Sequence, residues 1–220
     1  MTPTLYEHPF ASYCWKVLIA LYERDVTFER VFVGGAEDRA TLANIWPVAS
    51  IPVLVDPDAS LTLPESTTII EHLDAHGDGA PLIPADPAAA LHARLWDRIM
   101  DGQVMTPMQK IVADSLRPEG CRDPHGVDEA RATLDRAYRL LDAHLGSDGR
   151  LAGLDFSLAD CAAAPALFYA RVVHRWDEAG LTNLTGYFSR LTERPSVARV
   201  LEEAREYRPL FPLPWPDYVL

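Results

Sequence analysis

The sequence predicts an α/β unit of order βαβαββα followed by an all-helical unit. Two observations carry this fold class. Up to residue 76, short β-branched and aromatic runs alternate with stretches of helical periodicity. From residue 88 onward, apolar residues recur only at helical spacing. Gly77, Gly79, Pro81, Pro84 and Pro87 lie between the two, the densest Gly/Pro cluster before the tail. Such a cluster reads as a domain boundary, with units at 1–78 and 88–220.

The elements follow in order. Residues 3–7 form a strand and residues 12–24 a helix, in which Cys14, Val17, Leu18 and Leu21 share one face. Residues 27–33 form a second strand and residues 36–45 a helix. Residues 51–55 and 60–63 are strands flanking the turn Asp56-Pro57-Asp58-Ala59, and residues 66–76 are helical. Strands flanked by helices imply a sheet covered by helices. In the second unit, residues 88–115 carry apolar positions at Leu91, Leu95, Ile99 and Met105, with a bend at Pro107. Residues 127–145 are amphipathic through Ala130, Leu134, Ala137, Leu140, Leu141 and Leu145. Residues 157–173 are a buried central helix bent at Pro165. Residues 183–192 and 195–207 complete the set. The tail, residues 208–220, carries Pro209, Pro212, Pro214 and Pro216 and reads as extended chain.

Bulk properties narrow the function. The net charge of −12 argues against a nucleic-acid partner, which needs clustered Lys and Arg, and against docking on anionic membranes. No apolar run approaches the ~18 residues a membrane span requires, and no signal-peptide pattern opens the chain. Cys14, Cys121 and Cys161 show no metal-ligand spacing; no metal is expected, and reduced thiols in the cytoplasm are.

Four stretches bear on chemistry. In Thr4 to Tyr22 a turn delivers Ser12 to the start of a helix, where the hydroxyl can cap the helix or donate to a bound anion. Ile51-Pro52-Val53 opens a strand; on this motif alone, a trans proline at a strand start is the reading. Glu65 and Ser66 stand where a strand passes into a helix. They read either as an N-cap with a flanking acid or as a site for a group carrying both charges: the helix start suits a carboxylate and Glu65 an ammonium. Asp155-Phe156-Ser157-Leu158-Ala159-Asp160-Cys161 is a capping box and staple, a structural motif. Cys14 lacks a partner three residues earlier, where Ala11 stands, and lies on the apolar helix face, so core packing is its reading.

In this order and spacing the four stretches resemble the cytosolic glutathione transferases over the whole chain, and the Trp15-Lys16-Val17-Leu18-Ile19-Ala20-Leu21 helix resembles their bacterial serine-type and zeta-like branches. The resemblance implies a thioredoxin-like first domain that binds glutathione as co-substrate and a helical second domain that forms the electrophile pocket. It implies a cis Pro52, with Ile51 on the cysteinyl backbone and Glu65 and Ser66 on the γ-glutamyl end. It implies a hydroxyl that holds the thiol as thiolate, from Ser12, with Tyr13 and Tyr6 as alternatives. A free thiol titrates near ~8.5, so lowering it by about two units makes the thiolate the majority form at neutral pH. Gln103, Met105, Met108, Ile111 and Tyr169 are the implied pocket residues for a small electrophile, and a homodimer is the implied assembly. Two departures stand out: counted back from Cys14, Ala11 occupies the position of the catalytic serine of many serine-type relatives, whereas counted from the first strand Ser12 falls at the cysteine of the bacterial cysteine-type enzymes; and Ala49-Ser50 replaces a common Gly-Lys pair, with Trp46 nearby to shape that side of the site. Glutathione-dependent isomerase or dehalogenase activity, and a non-catalytic binding or interaction role, share the same fold.

Overall fold

The computed structural model describes residues 1–76, 79–146, 148–153 and 156–219. Gly77, at the expected domain boundary, and Asp155, which opens the capping stretch, lie outside the described residues. The first unit contains β1 (Thr4–Glu7), α1 (Ser12–Glu23), β2 (Glu29–Phe32), α2 (Ala36–Ala43), β3 (Val53–Asp56), β4 (Leu61–Pro64) and α3 (Ser66–His76). The four strands form one sheet in the order β2-β1-β3-β4. β2 runs parallel to β1, while β3 pairs antiparallel with both β1 and β4.

The second unit begins with α4 (Pro87–Ile99), a π-helical turn at Met100–Met105 and α5 (Thr106–Ser115). The interruption therefore precedes Pro107 instead of falling at it. Pro107 has no N–H to give, and the wider π register just before it absorbs the missing bond. α6 (Pro124–Leu145), α7 (Leu158–Val173), α8 (Thr182–Glu193) and α9 (Pro195–Ala204) follow. The last helix stops at Ala204, earlier than the sequence suggests. Residues Arg205–Leu210 then wind into 3₁₀ turns, so the start of the tail is helical despite Pro209. Only beyond it does the chain run without regular structure.

Leu91, Leu95 and Leu140 were expected on buried faces but are exposed, at 69%, 50% and 48%. The buried side of α4 is instead Ala90, Ala93, Trp96 and Asp97. Small residues let α4 approach α7 closely, which leaves the leucines outside.

One core joins the two units. Trp15 of α1 packs its ring 5.1 Å from Phe168 and 5.0 Å from Tyr169 of α7, and its indole N–H donates to Pro9 O at 2.6 Å. α7 is started by its capping box: Ser157 N–H and Oγ both donate to Asp160 Oδ2, at 2.9 and 2.8 Å, and Ala159 N–H donates to Ser157 Oγ at 3.2 Å. Pro165 sits inside this helix.

Candidate functional site

Three chain segments meet at the C-terminal end of β1. The first is the turn into α1, whose cap position is Ala11; Ser12 is the first helical residue, and its hydroxyl makes no hydrogen bond among the described residues. The second is the approach to β3. Ala49 adopts a left-handed conformation, φ 54°, and the Ile51–Pro52 peptide is cis, not trans as the motif alone suggests. The third is the β4–α3 junction. Ser66 is not the cap of α3 but its first residue; Glu65 occupies the cap position with φ 68°, and its carbonyl accepts from Ile69 N–H at 3.0 Å. A non-glycine residue in that region of backbone space is uncommon and marks a constrained site.

Two cavities share this meeting point. The polar one, about 480 Å³, is walled by Ser50, Ile51 and Pro52, by Glu65 to Thr68, and by Arg98 and Asp101 from α4 and the π turn. The apolar one, about 460 Å³, lies between the units, walled by Phe10 to Tyr13, by Met108, Val112 and Leu116 of α5, by Tyr169, and by Leu210 to Pro212. Tyr13 and Ile51 line both. Ser12 lines only the apolar one. Burial, reinforced by Asp101, pushes the Tyr13 phenol up to about 12. Tyr13 therefore keeps its proton at neutral pH and can act only as a donor toward an anion.

Beneath the polar cavity lies a cluster of charges that the sequence reading did not single out. Lys16 is 1% exposed. Its Nζ lies 2.5 Å from Asp97 Oδ1, 3.0 Å from Asp101 Oδ2 and 2.8 Å from Thr67 Oγ1, and Thr67 Oγ1 donates to Asp97 Oδ2 at 2.9 Å. Two buried carboxylates against one ammonium leave an excess negative charge. Burial accordingly raises the Asp101 carboxyl above its ordinary range, against the pull of Lys16. Asp101 Oδ1 is buried and makes no hydrogen bond among the described residues. The signal was present in the sequence: Lys16 is the only charge in an otherwise apolar helix between Ser12 and Leu21, and Asp97 and Asp101 are four apart.

The remaining expected residues are distributed unevenly. Met108 and Tyr169 line the apolar cavity. Met105 and Ile111 are buried in the core and line neither cavity, because the cleft-facing row of α5 is Met108, Val112 and Leu116. Gln103 opens instead onto a separate hollow beside Lys110 and Glu129. Tyr6 lies against Val33, Leu42 and Val53 with Trp46, and lines neither cavity. Cys14 is fully buried, and burial drives its thiol well above the ordinary range, so it offers no thiolate. Among the described residues no group of three or more His, Cys, Asp or Glu could hold a metal. No helix among them is long and apolar enough to cross a membrane.

Comparison with known proteins places this arrangement. Residues 5–81 match the family model described as glutathione S-transferase, N-terminal domain, and residues 124–190 match glutathione S-transferase, C-terminal domain. The chain is 28% identical over 195 residues to glutathione S-transferase GstB of Escherichia coli, covering 84% of this chain and 91% of that one. It is 32% identical over 165 residues to a stringent starvation protein A homolog of Coxiella burnetii, covering 75% and 74%. Among solved structures, a glutathione S-transferase from Methylobacillus flagellatus with glutathione bound aligns with a TM-score of 0.83 at 28% identity, over 90% of this chain and 98% of that one. The chain belongs to the glutathione S-transferase family.

Proposed function

We propose that this protein transfers glutathione, through its sulfur, to a small uncharged electrophile. Glutathione is the co-substrate, and the polar cavity has the chemistry to hold it. The start of α3 at Ser66 offers N–H groups to the γ-glutamyl carboxylate. Glu65 and Asp101, whose Oδ1 lacks a partner, suit the neighbouring ammonium. The Ile51 backbone meets the cysteinyl unit. The sulfur then lies where the polar and apolar cavities join. The electrophile occupies the apolar cavity, whose walls carry no charged side chain.

One observation carries the reading: Tyr13 and Ile51 wall both cavities, so a thiol held by one is presented to the other. Tyr13 supplies the hydrogen bond that stabilises the thiolate, with Ser12 and the N-terminus of α1 adding to the field. The thiolate forms a bond to the electrophilic carbon and the leaving group departs with the electron pair. The protein acts as a homodimer in the cytoplasm, where its three free cysteines stay reduced.

Ultraviolet titration of bound glutathione tests the assignment. The wild type is expected to hold the thiol below the ~8.5 of a free thiol. A hydrogen bond to a charged group contributes about 1.5–3 kcal/mol, so Tyr13→Phe should raise the bound thiol by about one to two pH units. Conjugation at neutral pH should fall by about tenfold or more. An unchanged thiol titration in Tyr13→Phe would transfer the role to Ser12, and loss of the shift in Ser12→Ala would then show it. No binding of glutathione would sink the transferase reading.

A further inference from the structure

The tail forms one wall of the apolar cavity; Phe211, Leu213, Trp215 and Val219 pack on the core, but few hydrogen bonds fix the segment there. Leu210, Phe211 and Pro212 face Met108, Val112 and Leu116 across the opening. Pro212, Pro214 and Pro216 remove three N–H donors from the segment that follows. Among the described residues, Phe211 N–H donates to Arg208 O of the preceding 3₁₀ turns, and only two hydrogen bonds join residues 211–219 to helices α1 to α9, both from one pair. Arg171 of α7 donates from Nη1 to Tyr218 O at 3.0 Å, and the Tyr218 hydroxyl donates to Arg171 O at 3.1 Å. The Tyr218 ring also lies over two guanidinium groups, 5.0 Å from Arg171 and 4.3 Å from Arg175. Glu178 fixes Arg171 in place through Nε at 3.0 Å. Between this anchor and the cavity, Trp215 packs on Phe211, Phe168 and Phe10 with ring centroids 5.4, 5.9 and 6.1 Å away, and its N–H donates to Val219 O at 3.2 Å.

We propose that the Arg171–Tyr218 pair is a latch that fixes the tail as a wall of the apolar cavity and so sets which apolar groups the cavity accepts. Both residues are positioning residues, acting through Trp215 and Phe211. Neither lines the apolar cavity or the polar one. The stiffness of a proline-rich strap transmits the anchor: with φ fixed at every second or third residue, displacement at Tyr218 moves Phe211 instead of being absorbed between them. The occupant this implies is an apolar group narrow enough to sit between α5 and a closed strap. The proposal rests on the transferase reading for the identity of the cavity.

The test uses the full chain, the Tyr218→Phe variant and the Tyr218→Phe/Arg171→Lys double variant. Tyr218→Phe removes one hydroxyl and keeps the ring over Arg175. The double variant also removes the second bond while keeping a cation beside Glu178. Two probes separate the cavities: glutathione fills the polar one, and S-hexylglutathione adds a hexyl chain in the apolar one. Calorimetry should give unchanged affinity for glutathione in all three proteins. The advantage of S-hexylglutathione over glutathione should fall about threefold to tenfold in Tyr218→Phe and further in the double variant. Hydrogen exchange at the amides of residues 211–219 should quicken in parallel, while α7 stays protected. An unchanged affinity ratio, or unchanged exchange in the tail, overturns the latch. Failure of the wild type to bind glutathione instead overturns the transferase reading; the exchange measurement then decides by itself whether the pair holds the tail.

Discussion

Asp101 shows how a single residue links stability to the site. It lines the polar cavity, touches Lys16 and carries an unpartnered buried oxygen. Its carboxyl is raised by burial, so between the ordinary carboxylate range and its own higher value the native state binds more protons than the unfolded chain. Its contribution to stability therefore falls as pH rises through that window and is level above it. Asp101→Asn removes this dependence. Urea unfolding across pH ~4 to ~7 should show the variant gaining on the wild type as pH rises. A constant difference between the two would mean that Asp101 titrates as it does in the unfolded chain. The gain should shrink when glutathione is present, because the ligand's ammonium supplies the charge that Asp101 lacks. The site was half legible at this scale. Ser12, Pro52, Glu65 and Ser66 stand at a turn, a strand start and a helix start that announce themselves locally, while their roles, and those of Ile51 and Tyr13, came from the family resemblance. Arg98 and Asp101 were not singled out: the four-residue spacing of Asp97 and Asp101 marks one helix face, but that this face meets the polar cavity depends on how the second unit docks, which no local pattern encodes. The same limit explains Tyr6: strand alternation places it on one face of the sheet, and only the tertiary structure shows that it packs with Val33, Leu42 and Val53 and lines neither cavity.

Among the elements, α7 was the most legible and α5 the least. The Ser157 to Cys161 stretch announces a helix start, and the structure realises it with hydrogen bonds from Ser157 N–H, Ser157 Oγ and Ala159 N–H. A further partner was not visible in the sequence: Tyr187 of α8 donates to Asp160 Oδ1 at 2.7 Å, so the box also ties two helices together. Replacing an N-cap serine with alanine costs about 1–2 kcal/mol. Ser157 is fully buried and its hydroxyl makes two of these contacts, so Ser157→Ala should reach the upper end of that range in urea unfolding. A cost below about 0.5 kcal/mol would show that the Tyr187–Asp160 bond alone holds the start of α7. α5 was less legible for a different reason. Its pocket residues rested on the resemblance, which implies the helix but not its rotation, and the π turn at Met100–Met105 departs from the constant 3.6-residue repeat by which a helix face is counted. Met105 and Ile111 lie in the core, and Val112 and Leu116 face the cavity.

For the molecule as a whole, the informative residues are those the helical pattern assigned to a core that does not contain them. Leu91 and Leu95 lie one turn apart on α4, and Leu140 projects from α6; all three are exposed. Periodicity reports that a face is apolar but not which neighbour covers it. α4 in fact carries two apolar faces, one of small residues packed on α7 and one of leucines left outside. The second face is the expected seat for another copy of the chain in the homodimer proposed above, since an isolated exposed apolar residue needs no explanation but two leucines one turn apart on one helix form a patch. A two-fold interface is self-complementary, so one substitution acts twice. Leu91→Glu/Leu95→Glu places four carboxylates in the dimer interface, two from each copy, while leaving the buried side of α4 untouched. Light scattering at micromolar concentration should then report the mass of a single chain, against twice that mass for the wild type. The helical circular dichroism of the variant should be unchanged, because neither leucine contributes to the core. A variant that remained dimeric would move the interface elsewhere on the surface, and a monomeric wild type would remove it altogether. Glutathione binding by the monomeric variant would further show whether the polar cavity is complete within one chain. The walls described here all come from one chain, so affinity within about threefold of the wild type is the expected result.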